Sequence, residues 1–184
     1  MVDDVSVHPS FLYKGVLMMS QTLQGDIIQE GTYMAFTLTG EIYGVEVSKV
    51  LEIVTVPELA PLPDTPDFFE GVLDICGDII PIIDLRKRFG LPVNDKHNEK
   101  TIIVVKSDGI EVGMVVDSVT DSMVLSVHSI DDLPNLASEV TADLIGGVSR
   151  LSDETLLIIV DLERVLSKGE IEILSAVIKK ITVS

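Results

Sequence analysis

The chain has 184 residues, a formal net charge of −17, one cysteine and no tryptophan, which allows one ordinary domain or two small subdomains sharing a core. Apolar residues make up 46% but aromatics only 4%, so the core must come from Val, Ile and Leu, the residues that fit half-buried pleated surfaces. The charge excludes a nucleic-acid partner and disfavours an anionic membrane surface, while a lone cysteine excludes an internal disulfide and fits a reducing compartment.

Residues 1–30 show no consistent periodicity and contain His8-Pro9-Ser10, Gly15 and Gly25; they read as a loose arm. The first residues, MVDDVSVHPS, have neither a basic head nor an apolar stretch of leader type, and the pair Met18-Met19 offers an alternative start. No apolar run approaches the ~18 residues of a membrane-spanning helix, so direct membrane insertion is not expected and the location is read as cytoplasmic.

From Thr32 the segment TYMAFTLTGEIYGVEV alternates about Thr39-Gly40-Glu41 and predicts a β-hairpin. SKVLEIV follows as a short helical turn or a third strand. Pro57, Pro61, Pro63 and Pro66 then mark an extended connector, because proline removes amide donors and fixes φ. GVLDIC and DIIPIIDL predict two strands joined through Gly77, with Pro81 marking an edge or a bulge. RKRFGLP predicts a short helical turn ended by Gly90 and Pro92. After the polar NDKHNEK, the stretch TIIVVKSDGIEVGMVVDSV predicts a second hairpin about Asp108-Gly109. A polar region from about Ser126 to Asp143 precedes another strand pair, LIGGVSRLSDETLLIIVDLERVLS. In EILSAVIKKI, Ile173, Val177 and Ile181 recur at helical spacing beside Leu174 and Ile178, predicting an amphipathic C-terminal helix.

Two features recur in order. YGVEVSKV (Tyr43–Val50) resembles VGMVVDSV (Val112–Val119), and PIIDLRKRF (Pro81–Phe89) resembles IIVDLERVL (Ile158–Leu166). Gly71-Val72 and Gly147-Val148 precede the second feature in each half. The repeat predicts a mainly β fold: an arm over 1–30, a domain over 31–168 and a helix over 169–184. Within the domain, two similar small β-barrels, about 31–98 and 99–168, pack together, and closure removes exposed sheet edges.

The aspartates Asp74, Asp78 and Asp84 raise the question of carboxylate or metal chemistry. Asp84 recurs as Asp161, each before Leu and a charged residue, which favours capping of the short turn that follows. Asp74 and Asp78 flank a turn, and His8, His97 and His128 fall at no ligand spacing. Cys76 has no C-x-x-C partner, and no phosphate loop, dinucleotide fingerprint or nucleophile elbow is present. The residues therefore point to no catalytic group, no metal and no cofactor. The runs VLEIV at 50–54 and TIIVV at 101–105 supply mostly core, with the remainder expected in a groove or on barrel ends, where apolar patches mark partner sites.

From about Thr32 to Leu166, with the C-terminal helix, the chain resembles the CheW family of chemotaxis coupling proteins. FTLTGEIYGVEVSKVLEIV, the P-x-F-x-x-G-V segment at Pro66–Val72, GDIIPIIDLRKRFG and VGMVVDSVTD carry the resemblance. It implies two partly intertwined five-stranded SH3-like β-barrels, about 31–98 and 99–168, with a hydrophobic groove between them. It also implies a non-enzymatic adaptor linking the cytoplasmic tips of chemoreceptors to the regulatory domain of the histidine kinase CheA in arrays beneath the inner membrane. The family's partner-contacting positions fall on Val50, Glu52, Gly71, Ile102 and Ile103. Where the family has an arginine before the turn glycine this chain has Cys76, and Arg86 or Arg88 is the cation available to replace it. A CheV-like coupling module, or a divergent pathway without motility, is the alternative. The adaptor reading is made to hang on an apolar seam left open between the two barrels.

Overall fold

The computed structural model describes residues 30–56, 59, 61–63, 65–93, 99–107, 109–131 and 142–182. The arm, the Met18-Met19 start, His8, His97 and Asp108 lie outside them.

Strand β1 (Glu30–Leu38) and β2 (Glu41–Glu46) form the first hairpin. Thr39 and Gly40 both have positive φ, 51° and 89°, the backbone of a two-residue turn whose twist matches that of paired strands. The ambiguous SKVLEIV contains both predicted forms: a single 3-10 turn, Val47–Lys49, then β3 (Val50–Val56). Next come β4 (Phe69–Ile75), β5 (Asp78–Asp84) and the one-turn helix α1 (Leu85–Arg88). Further on lie β6 (Lys100–Ser107), β7 (Ile110–Val116), β8 (Ser118–Ser126) and the two-residue β9 (Ile130–Asp131). β10 (Ile145–Arg150), β11 (Leu156–Val160), the short α2 (Leu162–Val165) and α3 (Lys168–Thr182) complete the fold. Among the described residues no helix is long and apolar enough to cross a membrane.

The strands form two sheets, ordered β8-β1-β2-β11-β10-β9 and β3-β6-β7-β5-β4. Sheet membership does not follow the 31–98 and 99–168 halves of the repeat. The hairpin of the first half pairs with the second half through β2 and β11, where Gly44 faces Ile159. The hairpin of the second half pairs with the first through β7 and β5, where Gly113 faces Ile82. Each half thus lends its hairpin to the other half's strand pair. The two sheets match strand for strand, and β9 is the one addition, making one sheet six-stranded rather than five. Pro81 also differs from expectation. β5 lies inside its sheet, and Pro81 sits just before Ile82–Asp84, the stretch paired with β7. Its missing N–H therefore falls outside that ladder.

Three apolar clusters follow. Ile80, Ile82, Ile102, Val104 and Val115 cluster within one sheet, and Val54, Val56, Leu73 and Ile75 from its two edge strands pack on them. Tyr33, Ala35, Leu125, Leu157 and Ile159 do the same in the other sheet. The largest cluster joins Phe36, Leu38 and Val45 of one sheet to Ile83, Ile103 and Met114 of the other. That last cluster overturns the open seam, so an adaptor surface has to be sought on the outer edges of the sheets instead. The chain's own side chains fill the space between the sheets, because successive residues of a central strand point to opposite faces and both faces here are apolar.

Asp84 and Asp161 cap α1 and α2, accepting from Arg86 N at 2.8 Å and Glu163 N at 3.0 Å. The recurring aspartate is thus explained by its place at a helix start. Arg88 fastens α3 to the body. Its Nε donates to Val165 O at 2.7 Å, its two terminal nitrogens donate to Glu170 at 3.0 and 3.1 Å, and its guanidinium lies 4.6 Å from the centre of the Phe68 ring.

Candidate functional site

Among the described residues β3 is an edge strand bonded to β6 alone, and the ladder shifts register between Val50 and Glu52. Such a bulge re-aims side chains. Leu51 and Ile53 are 50% and 42% exposed, with Glu52 exposed between them, while Val50 is half-buried against the inter-sheet core. Sequence reasoning placed Val50 and Glu52 here but singled out neither Leu51 nor Ile53, reading the run VLEIV as mostly core. Simple alternation hides a bulge that turns three consecutive side chains outward.

On the opposite edge of the same sheet, Gly71 is buried at a second bulge, between Phe69 and Gly71, with φ 142°. A side chain there would be strained. Cys76 and Gly77 form the β4–β5 turn, both at positive φ (56° and 96°), and the Asp74 carboxylate accepts from Gly77 N at 2.8 Å. Asp74 is thereby spent on the turn. Cys76 is exposed at the tip, so the residue in the family's arginine position does face outward.

Three sequence-nominated residues do not reach solvent. Ile102 and Ile103 are fully buried, one inside the sheet's own cluster and the other between the sheets. Their side chains hold the fold. Arg86 is also buried, its guanidinium donating to Asp84 at 2.7 and 3.1 Å and to Asp117 at 3.3 Å. It cannot stand in for the missing surface arginine. A charge that close to an aspartate is committed, because drawing it out would strand a buried carboxylate.

Two further groups shape the electrostatics. Burial pushes the Glu70 carboxyl up, but hydrogen bonds and charge from Lys100 and Lys87 outweigh this and hold it below the usual carboxylate range. Glu70 is the bulged residue of β4 and fastens that edge to α1 and β6. The Tyr43 hydroxyl, buried and donating to Glu41 at 3.3 Å, is pushed up to about 12 by burial first and by the Glu41 charge second.

Fold and surface together define a binding module of two sheets with exchanged hairpins, presenting an apolar edge strand and an exposed turn on one sheet. The CheW-like domain model matches residues 32–170, and the chain belongs to that family. It is 36% identical over 148 residues to a chemotaxis protein CheW of Klebsiella aerogenes, covering 80% of this chain and 88% of that one. It is 35% identical to the chemotaxis protein CheV3 of Helicobacter pylori, covering 68% of this chain and 41% of that protein. Among solved structures it is similar to the scaffolding protein TtCheW of Thermoanaerobacter tengcongensis, with a TM-score of 0.69, 30% identity, and coverage of 77% of this chain and 96% of that one.

Proposed function

We propose that the chain is a non-enzymatic chemotaxis adaptor that couples chemoreceptor cytoplasmic tips to the regulatory domain of the histidine kinase CheA, in arrays beneath the inner membrane. The observation that carries the docking surface is β3, whose outward Leu51 and Ile53 flank the carboxylate of Glu52 on an unpaired sheet edge. Such an edge offers backbone hydrogen bonds as well as apolar anchors. Val50 backs this surface from the core, and Cys76 with Gly71 supplies the second contact at the other edge. A thiol at the tip in place of an arginine removes one charged contact from receptor recognition, which suits a divergent receptor set.

The match to CheV3, of which this chain covers less than half, favours a second reading in which the same surface serves as the coupling module of a CheV-like protein.

The test compares an edge with a core position. Leu51→Asp with Ile53→Asp should weaken binding to a receptor cytoplasmic fragment or to a CheA fragment at least tenfold while the melting temperature stays within a few degrees. Ile102→Asp should instead abolish cooperative unfolding, since it buries an unpaired carboxylate at a cost above about 4 kcal/mol. Unchanged binding of both fragments by the edge variant would remove β3 from the docking surface.

A further inference from the structure

The C-terminal helix α3 is held to the body by little for its length. Of its 15 residues Leu174 alone is buried, at 2% exposed, and Ile171 is the other side chain that packs on the inter-sheet cluster. Val177, Ile178 and Ile181 are half-buried yet join none of the three apolar clusters, and Ile173 is 47% exposed. The apolar face read from the sequence is therefore longer than the seat it occupies. A helix of this length is marginal in water by itself, so its persistence depends on that seat.

The polar attachment is equally narrow. Glu170 accepts from both terminal nitrogens of Arg88 at 3.0 and 3.1 Å, each side chain being 20% exposed. The same carboxylate accepts from Ser167 N at 2.7 Å, while Ser167 Oγ accepts from Glu170 N at 3.3 Å, a capping box. One side chain thus both starts the helix and docks it. Two features loosen this end. A cavity of about 20 Å³ lies beside Ile171, its lining shared with Val112, Met114 and Val165, so close packing lapses there. Gly169 stands in the first turn without a positive φ, and a Cβ on it would meet nothing within 4 Å. Neither packing nor conformation requires glycine at this position, and glycine weakens a helix relative to alanine.

We infer that α3 is a displaceable cover that swings about Ser167–Gly169, and that its vacated seat accepts an amphipathic helix of a protein partner. The inference rests on the adaptor reading for the existence of a partner. The seat's present occupant states the chemistry required. Glu170, Ile171 and Leu174 bring a carboxylate, then apolar groups one and four positions on, to Arg88 and the inter-sheet cluster. A partner helix carrying the same three groups at the same spacing pairs Arg88 and refills the cluster. Arg88 keeps its place without α3, because its Nε donates to Val165 O and its guanidinium lies over the Phe68 ring. The chain's own helix competes for the seat, so partner affinity is set by how often α3 lifts.

Native-state hydrogen exchange on the full chain reads the opening directly. Amides of residues 172–181 should exchange about a hundredfold faster than those of Phe36, Ile103 and Met114. Glu170→Gln breaks the clasp but leaves Arg88 for a partner, and should raise the opening about fivefold. Gly169→Ala should lower it about threefold. Binding of a receptor or CheA fragment should follow the same order, tightest for E170Q and weakest for G169A. Full-length Leu174→Asp, whose own helix cannot seat, should bind an acetylated peptide of residues 167–182 saturably, and wild type about tenfold more weakly. The same peptide carrying Leu174→Asp should not bind. Helix amides as protected as the core's, measurable fragment affinities that do not follow the opening, or failure of the peptide to bind overturn the inference. If no form of the chain binds either fragment while opening and peptide binding run as described, the coupling reading fails and the displaceable cover stands.

Discussion

Two crossovers carry the chain from one sheet to the other, and they are built very differently. At β7–β8, Asp117 donates its N–H to Thr37 O at 3.0 Å, accepts from Thr39 N at 2.6 Å, and pairs with the buried Arg86–Asp84 unit. At β2–β3, the matching link from helix to crossover is Lys49 to Glu163 at 3.5 Å, with side chains 32% and 64% exposed. One crossover is multiply bonded and tied through Asp117, itself 33% exposed, to a buried ion pair, and the other is a single solvated contact. The exposed Leu51 and Ile53 lie at the solvated one. A repeat can thus keep one topology while concentrating rigidity in one copy and leaving surface available in the other.

The largest break in this comparison should come from Arg86→Met. It strands the Asp84 carboxylate in the core and should cost about 3–5 kcal/mol by urea unfolding. Lys49→Met at the other crossover should cost less than about 0.5 kcal/mol. Similar losses at both positions would mean that the two links are energetically alike despite their geometry.

A smaller contrast is expected at the paired glycines. A Cβ on Gly113 would meet Ile82 Cδ1 at 2.3 Å and Ile102 Cγ2 at 2.8 Å, whereas one on Gly44 would meet Leu157 at 3.2 Å. Gly113→Ala should therefore destabilise by about 1–3 kcal/mol through overpacking, and Gly44→Ala by less, with melting temperature as the measure.

The smallest effect concerns acid. Glu70 is held below the usual carboxylate range in the fold, so its contribution is present above the ordinary carboxylate pKa and is lost as pH falls through the lowered value. Glu70→Gln should flatten the decline of melting temperature between about pH 5 and 3 relative to wild type, since Gln cannot lose the charge that binds Lys87 and Lys100. An acid limb as steep as before would assign that sensitivity to other carboxylates.

Much of the local structure was legible. The Thr39-Gly40 and Cys76-Gly77 turns stand where short polar or glycine-bearing pairs interrupt apolar alternation, and Asp84 and Asp161 announce helix starts through one shared side-chain preference. The candidate site was legible only in part. Val50, Glu52 and Cys76 lie at or near the surface, but Ile102, Ile103 and Arg86 do not. A β-branched residue next to another gives no sign of whether one face of its strand is covered or both, and a basic run gives no sign of which member turns inward to a carboxylate.

What this sequence determined unaided is its set of hairpins, caps and repeated strand pairs, because each depends on backbone preferences acting within a few residues. Only the tertiary structure decided that the halves exchange hairpins, that the space between the sheets is filled, and that one copy's crossover is tied to a buried ion pair while the other's is held by a solvated one. Parallel pairing of β2 with β11 and of β5 with β7 joins residues far apart in the chain, and such pairing is selected by how whole apolar faces fit together.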